Sequence, residues 1–298
     1  MTPVLEFLNV SRSFQKGVPV LDGVSFSIAE GEVVGLLGRN GAGKTTLIHI
    51  AMGLLSTQSG AVRMFGVSPF EDPVAVKRRI GFVSEEQVLP PRSSLAELIA
   101  FHRYLYGRWD EALERQLLDR FALAPSSRIH RLSKGQARQA ALLCAVCHRP
   151  DLLLLDEPAG GLDPVARREF LETSIQLLNR QGTAILFSSH QMGDVERIGG
   201  RIVLLNEGKV RIDRDLDGIR EGISVFIVPR ASVPHAAAFE NLPGCLRVRA
   251  VFDDWHVVME GDPDRVRGRL AFLSPAGHLR GAQVPLEELF IELVGGER

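Results

Sequence analysis

The stretch GRNGAGKTT has the residue types and spacing of a loop that holds a nucleotide triphosphate. It matches G-x-x-x-x-G-K-[ST] at every fixed position. Because backbone N–H groups must converge on phosphate oxygens, we expect side-chain bulk to be excluded at Gly38, Gly41 and Gly43. Lys44 supplies positive charge between the outer phosphates, and Thr45 offers a hydroxyl to Mg²⁺. The stretch therefore predicts nucleotide binding.

Two acids and a histidine follow the ends of two later apolar runs. The run Leu152–Leu155 predicts a buried strand that ends in Asp156 and Glu157, and TAILFSS predicts a strand that ends at His190. In α/β sheets such strand ends gather ligands. Asp156 can hold Mg²⁺ through water, and Glu157 can take a proton from an attacking water. A histidine at a strand end is usually a polar terminator, but here the convergence favours contact with the γ-phosphate.

The flanking segments supply the elements that would position these residues. EVVGLLG predicts the strand before the loop, and TTLIHIAMGLL predicts the helix after it. LEFLNVSRSF and LDGVSFSIAEGE alternate like strands, while GAVRMFG, RRIGFVSEE and a hairpin in RIVLLNEGKVRID add further strands. The fold class is therefore α/β, a mixed or parallel sheet with flanking helices and an antiparallel β region at its start.

Helical patterns fill much of the middle of the chain. Residues 93–123 show helical spacing with a break near Gly107, and Ser93 or Ser94 with Glu97 resembles a capping box. Ser133 and Gly135 lie where a helix to about Cys147 begins, so its free N–H groups can receive an anion, although LSKGQ alone is only a helix cap. The turn PAGGLDP bears Asp163, and the following residues, VARREFLETSIQLLNRQG, predict another helix.

Two local features have competing interpretations. Cys144, Cys147 and His148 spell C-x-x-C-H, a haem-attachment string, but they lie in an apolar helical pattern, which favours buried structural cysteines. Phe14 can stack on adenine or simply close its strand, and spacing alone leaves both open.

Composition limits the classes of function. The chain has 298 residues, enough for one large or two ordinary domains, and a formal net charge of −1 that gives no reason to expect nucleic acid. No apolar run approaches the roughly 18–20 residues that a bilayer requires. The start, MTPVLEFLNV, lacks a basic region and does not resemble a signal peptide, so we expect a cytoplasmic protein.

Together these motifs resemble those of the nucleotide-binding subunit of an ABC transporter, over roughly residues 4–215. GRNGAGKTT is similar to its Walker A motif, LSKGQ to its signature, LLLLDEP to Walker B, GGLD to the D-loop and SSH to the switch histidine. The resemblance implies that the ATP contacts come from Phe14, as the adenine-stacking aromatic, and from Gly38, Arg39, Asn40, Gly41, Ala42, Gly43, Lys44, Thr45 and Thr46.

The resemblance also implies a dimeric mechanism. Two copies would sandwich two ATP molecules, and Ser133, Gly135, Gln136 and Asp163 of one copy would act in trans on the nucleotide of the other. Glu157 would be the general base and His190 the γ-phosphate sensor. Asp156, Thr45 and Glu85 would contact Mg²⁺.

Three departures from the family pattern affect this expectation. Glu85 stands where the family usually has the glutamine of its Q-loop, and a carboxylate there should alter metal preference more than abolish binding. Lys134 replaces the middle glycine of the signature, and it either points away from the phosphate or adds positive charge. PAGGLD differs from the more usual PTSGLD, with an unknown effect.

The expected organisation is an ATPase domain over residues 1–217, with a helical subdomain at about 86–147, and a small α+β domain over 218–298. The latter has strands and helices in a ferredoxin-like β-α-β-β-α-β order, with HLRGAQV as its last strand. PLEELFIELVGG resembles the tail of exporter-type ATPases, which implies export through a separate polytopic membrane subunit and a place on the cytoplasmic face of the membrane. The alternatives are a soluble ABC ATPase acting on nucleic acid or ribosomes, and a catalytically weak regulatory module.

Overall fold

The computed structural model describes residues 3–15, 17–86, 88–163, 166–168, 170–173, 182–198, 200–272, 280–282 and 285–294. The chain divides into two compact units, Met1–Asp213 and Arg214–Arg298. In the described residues no helix combines the length and the apolar character needed to span a bilayer.

The first unit begins with strands and continues with strands and helices in alternation. In chain order its elements are β1 (Leu5–Gln15), β2 (Val18–Ile28), β3 (Val33–Leu37), α1 (Lys44–Ala51), β4 (Ser59–Met64), α2 (Pro73–Arg78), β5 (Ile80–Val83), α3 (Leu95–Tyr106), α4 (Glu111–Arg120), α5 (Lys134–Val146), β6 (Leu152–Leu155), β7 (Ala184–Ser189), α6 (Met192–Ile198), β8 (Arg201–Asn206) and β9 (Lys209–Asp215).

Two sheets form this unit. An antiparallel sheet has the order β2-β1-β4, and a six-stranded sheet has the order β5-β6-β7-β3-β8-β9. Strands β5, β6, β7, β3 and β8 pair in parallel, so their carboxyl ends meet at one edge. Every residue of β6 and β7 is buried, which explains why both strands read as continuous runs of mostly apolar residues. The predicted α/β class, with an antiparallel β region at its start, is confirmed.

Helices α3, α4 and α5 lie in the segment where a helical subdomain was expected. Ser94 caps α3 in a capping box with Glu97, and α3 ends at Gly107, whose φ of 67° is left-handed. Helix α5 starts after Ser133 and has Cys147 at its C-cap. The predicted helix after Asp163 lies partly outside the described residues, and its residues 166–168 and 170–173 are helical.

The second unit is built on a four-stranded antiparallel sheet. Its elements are α7 (Leu216–Gly222), β10 (Ile223–Pro229), α8 (Ala237–Glu240), β11 (Cys245–Val251), β12 (Asp254–Glu260), α9 (Pro263–Ala271), β13 (Arg280–Ala282) and α10 (Leu286–Val294).

The sheet order is β11-β12-β10-β13, in which each neighbouring pair is antiparallel. A separate apolar cluster that includes Phe226, Phe239 and Trp255 forms its core. The last strand spans Arg280–Ala282, and the rest of the predicted strand HLRGAQV lies outside the described residues.

Candidate active site

The loop between β3 and α1 depends on its glycines for two different reasons. A Cβ on Gly38 would lie 2.5 Å from the carbonyl oxygen of Leu205, and one on Gly43 would lie 2.6 Å from a methyl group of Leu21. Gly41 has no atom within 4 Å of a Cβ position, but its φ is +81°. Bulk is therefore excluded by the protein itself at Gly38 and Gly43, whereas at Gly41, and also at Gly43 with its φ of +106°, the backbone conformation requires glycine.

The ammonium of Lys44 lies buried at the first residue of α1. It donates to the carbonyl oxygens of Gly38 at 2.8 Å and Arg39 at 3.2 Å, and it pairs with Oε1 of Glu157 at 3.1 Å. The phosphate loop and the end of β6 thus meet through one cation, as the sequence motifs predict.

Asp156 and Glu157 follow β6, and both are buried. The hydroxyl of Ser188, on the adjacent strand β7, donates to Oδ1 of Asp156 at 2.7 Å and accepts the backbone N–H of Glu157 at 2.8 Å. Glu157 has a φ of 44°, which is uncommon for a residue with a side chain. The carboxylate pair is therefore held by a side chain from the next strand.

His190 lies just beyond β7 and reaches the same carboxylate. Its Nδ1 is 2.8 Å from Oε2 of Glu157, while its side chain remains 39% exposed. The two oxygens of Glu157 thus face an ammonium on one side and an imidazole on the other. A carboxylate so oriented can accept a proton from a water near the phosphate loop.

Lys44 and Glu157 border a cavity of about 430 Å³. It is lined by Val20, Asn40, Gly41, Gly43, Lys44, Thr45, Thr46, Glu85 and Glu157. The wall combines loop backbone, one ammonium, two hydroxyls and two carboxylates, a set suited to a magnesium-bound polyphosphate.

The oxygen donors near the loop match the chemistry of Mg²⁺. Thr45 and Glu85 line the cavity, and Asp156 lies at the end of β6 beside Glu157. Among the described residues, no group of three His, Cys, Asp or Glu side chains is placed to hold a metal ion. Mg²⁺ usually binds through one or two carboxylates together with substrate phosphates and water, and the oxygen donors of Thr45, Glu85 and Asp156 are of that kind.

Other predicted site residues lie away from this cavity wall. Phe14 is 58% exposed at the end of β1, with the guanidinium carbon of Arg12 at 5.2 Å from its ring centre. Gln136 and Ser133 bond to each other in a capping box at the start of α5. Asp163 is exposed, and its Oδ1 accepts the backbone N–H of Ala166.

Gly135 follows Ser133 in the first turn of α5 and does not line the cavity either. A Cβ there would lie 3.5 Å from Leu162, an ordinary contact. In one copy of the chain, Ser133, Gly135 and Gln136 therefore present a helix start that is not part of the Lys44 pocket.

Two buried networks near the site were not predicted from the motifs. Ser189 donates to Asp194 at 2.7 Å, and Asp194 pairs with Arg167, so the segment around His190 is tied to the helix after Asp163. In the second network, the guanidinium of Arg138 donates to the backbone carbonyl oxygens of Pro158, in the turn after β6, and of Glu85, in the loop after β5. The sequence offered only the presence of a cation in a predicted helix as a signal for Arg138.

Cys144 and Cys147 are buried free thiols, which agrees with their interpretation as structural residues. Burial raises the pKa of Cys144 to about 12 and lowers the pKa of His148 to about 4. The His148 ring stacks on Tyr106 with 3.7 Å between ring centres. The buried, neutral imidazole of His148 therefore packs as part of the core of the helical segment.

Comparison with known proteins gives one consistent picture. The family described as "ABC transporter" matches residues 21–160. The chain is 30% identical to ABC transporter ATP-binding protein YtrB of Bacillus subtilis over 296 residues, which cover 99% of each protein. The match therefore extends beyond the phosphate-loop and strand-end motifs into the residues of the second unit.

Solved structures of ABC transporter subunits are also similar to this chain. A structure described as the ATP-binding subunit of an ABC transporter has a TM-score of 0.66 and 33% identity, and the match covers 73% of this chain and 92% of that one. A dimeric structure of a bacterial ABC transporter cassette has a TM-score of 0.64 and 23% identity, covering 71% of this chain and 98% of that one.

Proposed function

Because the chain belongs to the ABC transporter family of ATP-binding subunits, we propose that its cavity is the half-site at which ATP is bound and hydrolysed to drive transport. The observation that carries this is the position of Glu157, whose two carboxylate oxygens contact Lys44 and His190 beside the phosphate loop. Transport energised by ATP hydrolysis is the activity of the family, and the family and the relative YtrB are described in terms of transport rather than of action on nucleic acid.

We assign the following roles. Glu157 is the general base that accepts a proton from water, Lys44 neutralises phosphate charge, and His190 orients Glu157 and contacts the γ-phosphate. Thr45 and Asp156 would hold Mg²⁺, with Glu85 as a further oxygen ligand, and the ion would neutralise charge on the outer phosphates. The loop residues 38–46 supply the remaining phosphate contacts, and Phe14 stacks on adenine.

Substitution of the base tests this proposal. Glu157→Gln removes the proton acceptor but keeps the size of the side chain, so turnover should fall about 10²- to 10⁴-fold while ATP still binds. Glu207→Gln is the matched control, because Glu207 is exposed and forms an ion pair with Arg211 on the same hairpin. Turnover by Glu157→Gln that equals the wild-type rate would remove Glu157 from this role.

We also propose that two copies complete each site, with Ser133, Gly135, Gln136 and Asp163 acting across the dimer. These four residues do not line the cavity within one chain, which supports this arrangement. A mixed dimer of Ser133→Ala and Lys44→Ala subunits has one site free of both lesions, so mixing two inactive preparations should restore activity. No gain of activity on mixing would contradict composite sites.

The remaining partner is a separately encoded polytopic membrane subunit, on whose cytoplasmic face we place this chain. Export is proposed from the resemblance of Pro285–Gly296 to the tail of exporter-type ATPases. We further propose residues 1–217 as the ATPase domain and 218–298 as an attached small α+β domain. Extraction of membranes with detergent should recover the chain bound to a polytopic protein, whereas recovery only from the soluble fraction would contradict this partner.

A further inference from the structure

Arg138 lies on α5 and is only 8% exposed, although it carries a full charge. Its Nη1 donates to the carbonyl oxygens of Pro158 at 3.0 Å and Gly160 at 2.5 Å, and it lies 3.4 Å from that of Glu157. Its Nη2 donates to the carbonyl oxygen of Glu85 at 2.6 Å. One guanidinium therefore joins the helix that begins at Ser133 to the turn after β6 and to the loop after β5.

This arrangement depends on arginine in particular. Burial lowers the pKa of Arg138, while the negative charges of Glu85 and Glu157 raise it. Desolvating a cation is costly unless its N–H groups are satisfied, and hydrogen bonds from a charged donor are roughly twice as strong as neutral ones. The planar fork of arginine can donate in two directions at once, whereas a lysine ammonium is a single point.

The turn that Arg138 holds contains a strained residue. Glu157 has a left-handed φ of 44°, a conformation that costs on the order of 1–3 kcal/mol and persists only where its surroundings enforce it. Its N–H is bound by Ser188 from one side. On the other side of the turn, the carbonyl oxygens of Glu157, Pro158 and Gly160 accept hydrogen bonds from Arg138. The backbone N–H and the backbone carbonyl of Glu157 are thus both held by side chains from other elements.

We propose that Arg138 is a positioning residue for ATP hydrolysis, which sets the backbone of Glu157 and links it to the helix that begins at Ser133 and to the Glu85 loop. This inference rests on the proposed role of Glu157 as general base. It assigns Arg138 no contact with the nucleotide. Loss of Arg138 should therefore lower kcat without weakening ATP binding.

The test is a double-mutant cycle on single-turnover rates. Arg138→Lys should lower the rate in the wild-type background by about 10²-fold, the scale of a 1 Å misplacement of a catalytic group. In a Glu157→Gln background the same substitution should change the rate less than about 2-fold, because residues that act as a unit are strongly non-additive. The Kd for a fluorescent ATP analogue should stay within about 2-fold of wild type in both backgrounds.

Arg149→Lys is the matched control, because Arg149 is a partly buried arginine whose guanidinium, in the described part of the chain, bonds to Asp110 at 2.5 Å rather than to the Glu157 turn. Rates are read below the midpoint of thermal unfolding of each variant, and Arg138→Gln replaces Arg138→Lys if the latter does not fold. Equal loss in both backgrounds, a parallel loss of ATP affinity, or the same loss in Arg149→Lys would overturn the inference. If Glu157→Gln alone leaves the rate unchanged, the proposed function of Glu157 has failed instead.

Discussion

The hydroxyl of Ser188 offers the sharpest test of how the site is held together. Ser188 is fully buried, accepts the Glu157 N–H at 2.8 Å and donates to Oδ1 of Asp156 at 2.7 Å. Ser188→Ala removes one oxygen and leaves a buried backbone donor and a buried carboxylate without that partner. The loss of a donor to a charged group and an unsatisfied N–H together cost about 3–5 kcal/mol.

This cost is large compared with the whole stability of a domain, which is about 5–15 kcal/mol. For a unit of this size each kcal/mol lowers Tm by about 2–4 °C, so we expect a fall of about 6–20 °C. Turnover should fall as well, because Glu157 loses one of the two groups that hold its left-handed backbone. Thermal unfolding and steady-state ATP hydrolysis measure the two effects.

Ser25 provides a control with the same bonding pattern at the surface. Its hydroxyl accepts the backbone N–H of Asn9 at 2.8 Å and donates to the Asn9 side chain at 3.2 Å, and Asn9 also has a positive φ of 49°. Both residues are exposed, so water replaces the hydroxyl in Ser25→Ala and the cost should be about 0.5 kcal/mol or less. Equal Tm values for Ser188→Ala and Ser25→Ala would refute the reasoning, as would wild-type turnover in Ser188→Ala.

Two further predictions concern the phosphate loop and the helical segment. Gly38→Ala should destabilise the protein more than Gly41→Ala. The Cβ of an alanine at position 38 would lie 2.5 Å from a backbone oxygen, whereas Gly41→Ala costs only the roughly 1–2 kcal/mol of a left-handed residue. Urea unfolding that ranks the two variants in the reverse order would contradict this prediction. The pKa of His148 is about 4 in the native state, which is below its value of about 6.5 in the unfolded state. As pH falls, the unfolded state therefore binds a proton before the native state does. The free energy of unfolding should fall by up to about 3 kcal/mol as pH drops from about 6.5 towards 4. His148→Gln should flatten this part of the curve of urea midpoint against pH, and an unchanged slope would exclude His148 as the cause.

The parts of the site that the sequence predicted are those that lie at strand ends. Gly38 follows β3, Asp156 and Glu157 follow β6, and His190 follows β7. Because these strands are parallel neighbours, their ends must meet at one edge, and the apolar runs identify the strands without any knowledge of packing. The order of strands in the fold therefore accounts for most of the site.

The parts that the sequence did not predict depend on side chains that cross between segments. Ser188 belongs to a fully buried strand, and no local pattern shows that its hydroxyl turns towards β6. Arg138 reaches the loop at Glu85, which is far from it in the chain. At Gly41 the motif indicates that glycine is required, but it does not show that a left-handed φ is one reason for the requirement.

Glu157 is held by two sets of groups that act on different parts of the residue. Lys44 and His190 contact its carboxylate oxygens, so they govern the direction in which it accepts a proton. Ser188 and Arg138 contact the backbone on either side of its strained φ, so they govern where the carboxylate is placed. Substitutions in the first set should therefore disturb the proton acceptor itself. Substitutions in the second set should lower turnover by moving the carboxylate, and the double-mutant cycle with Glu157→Gln measures that effect.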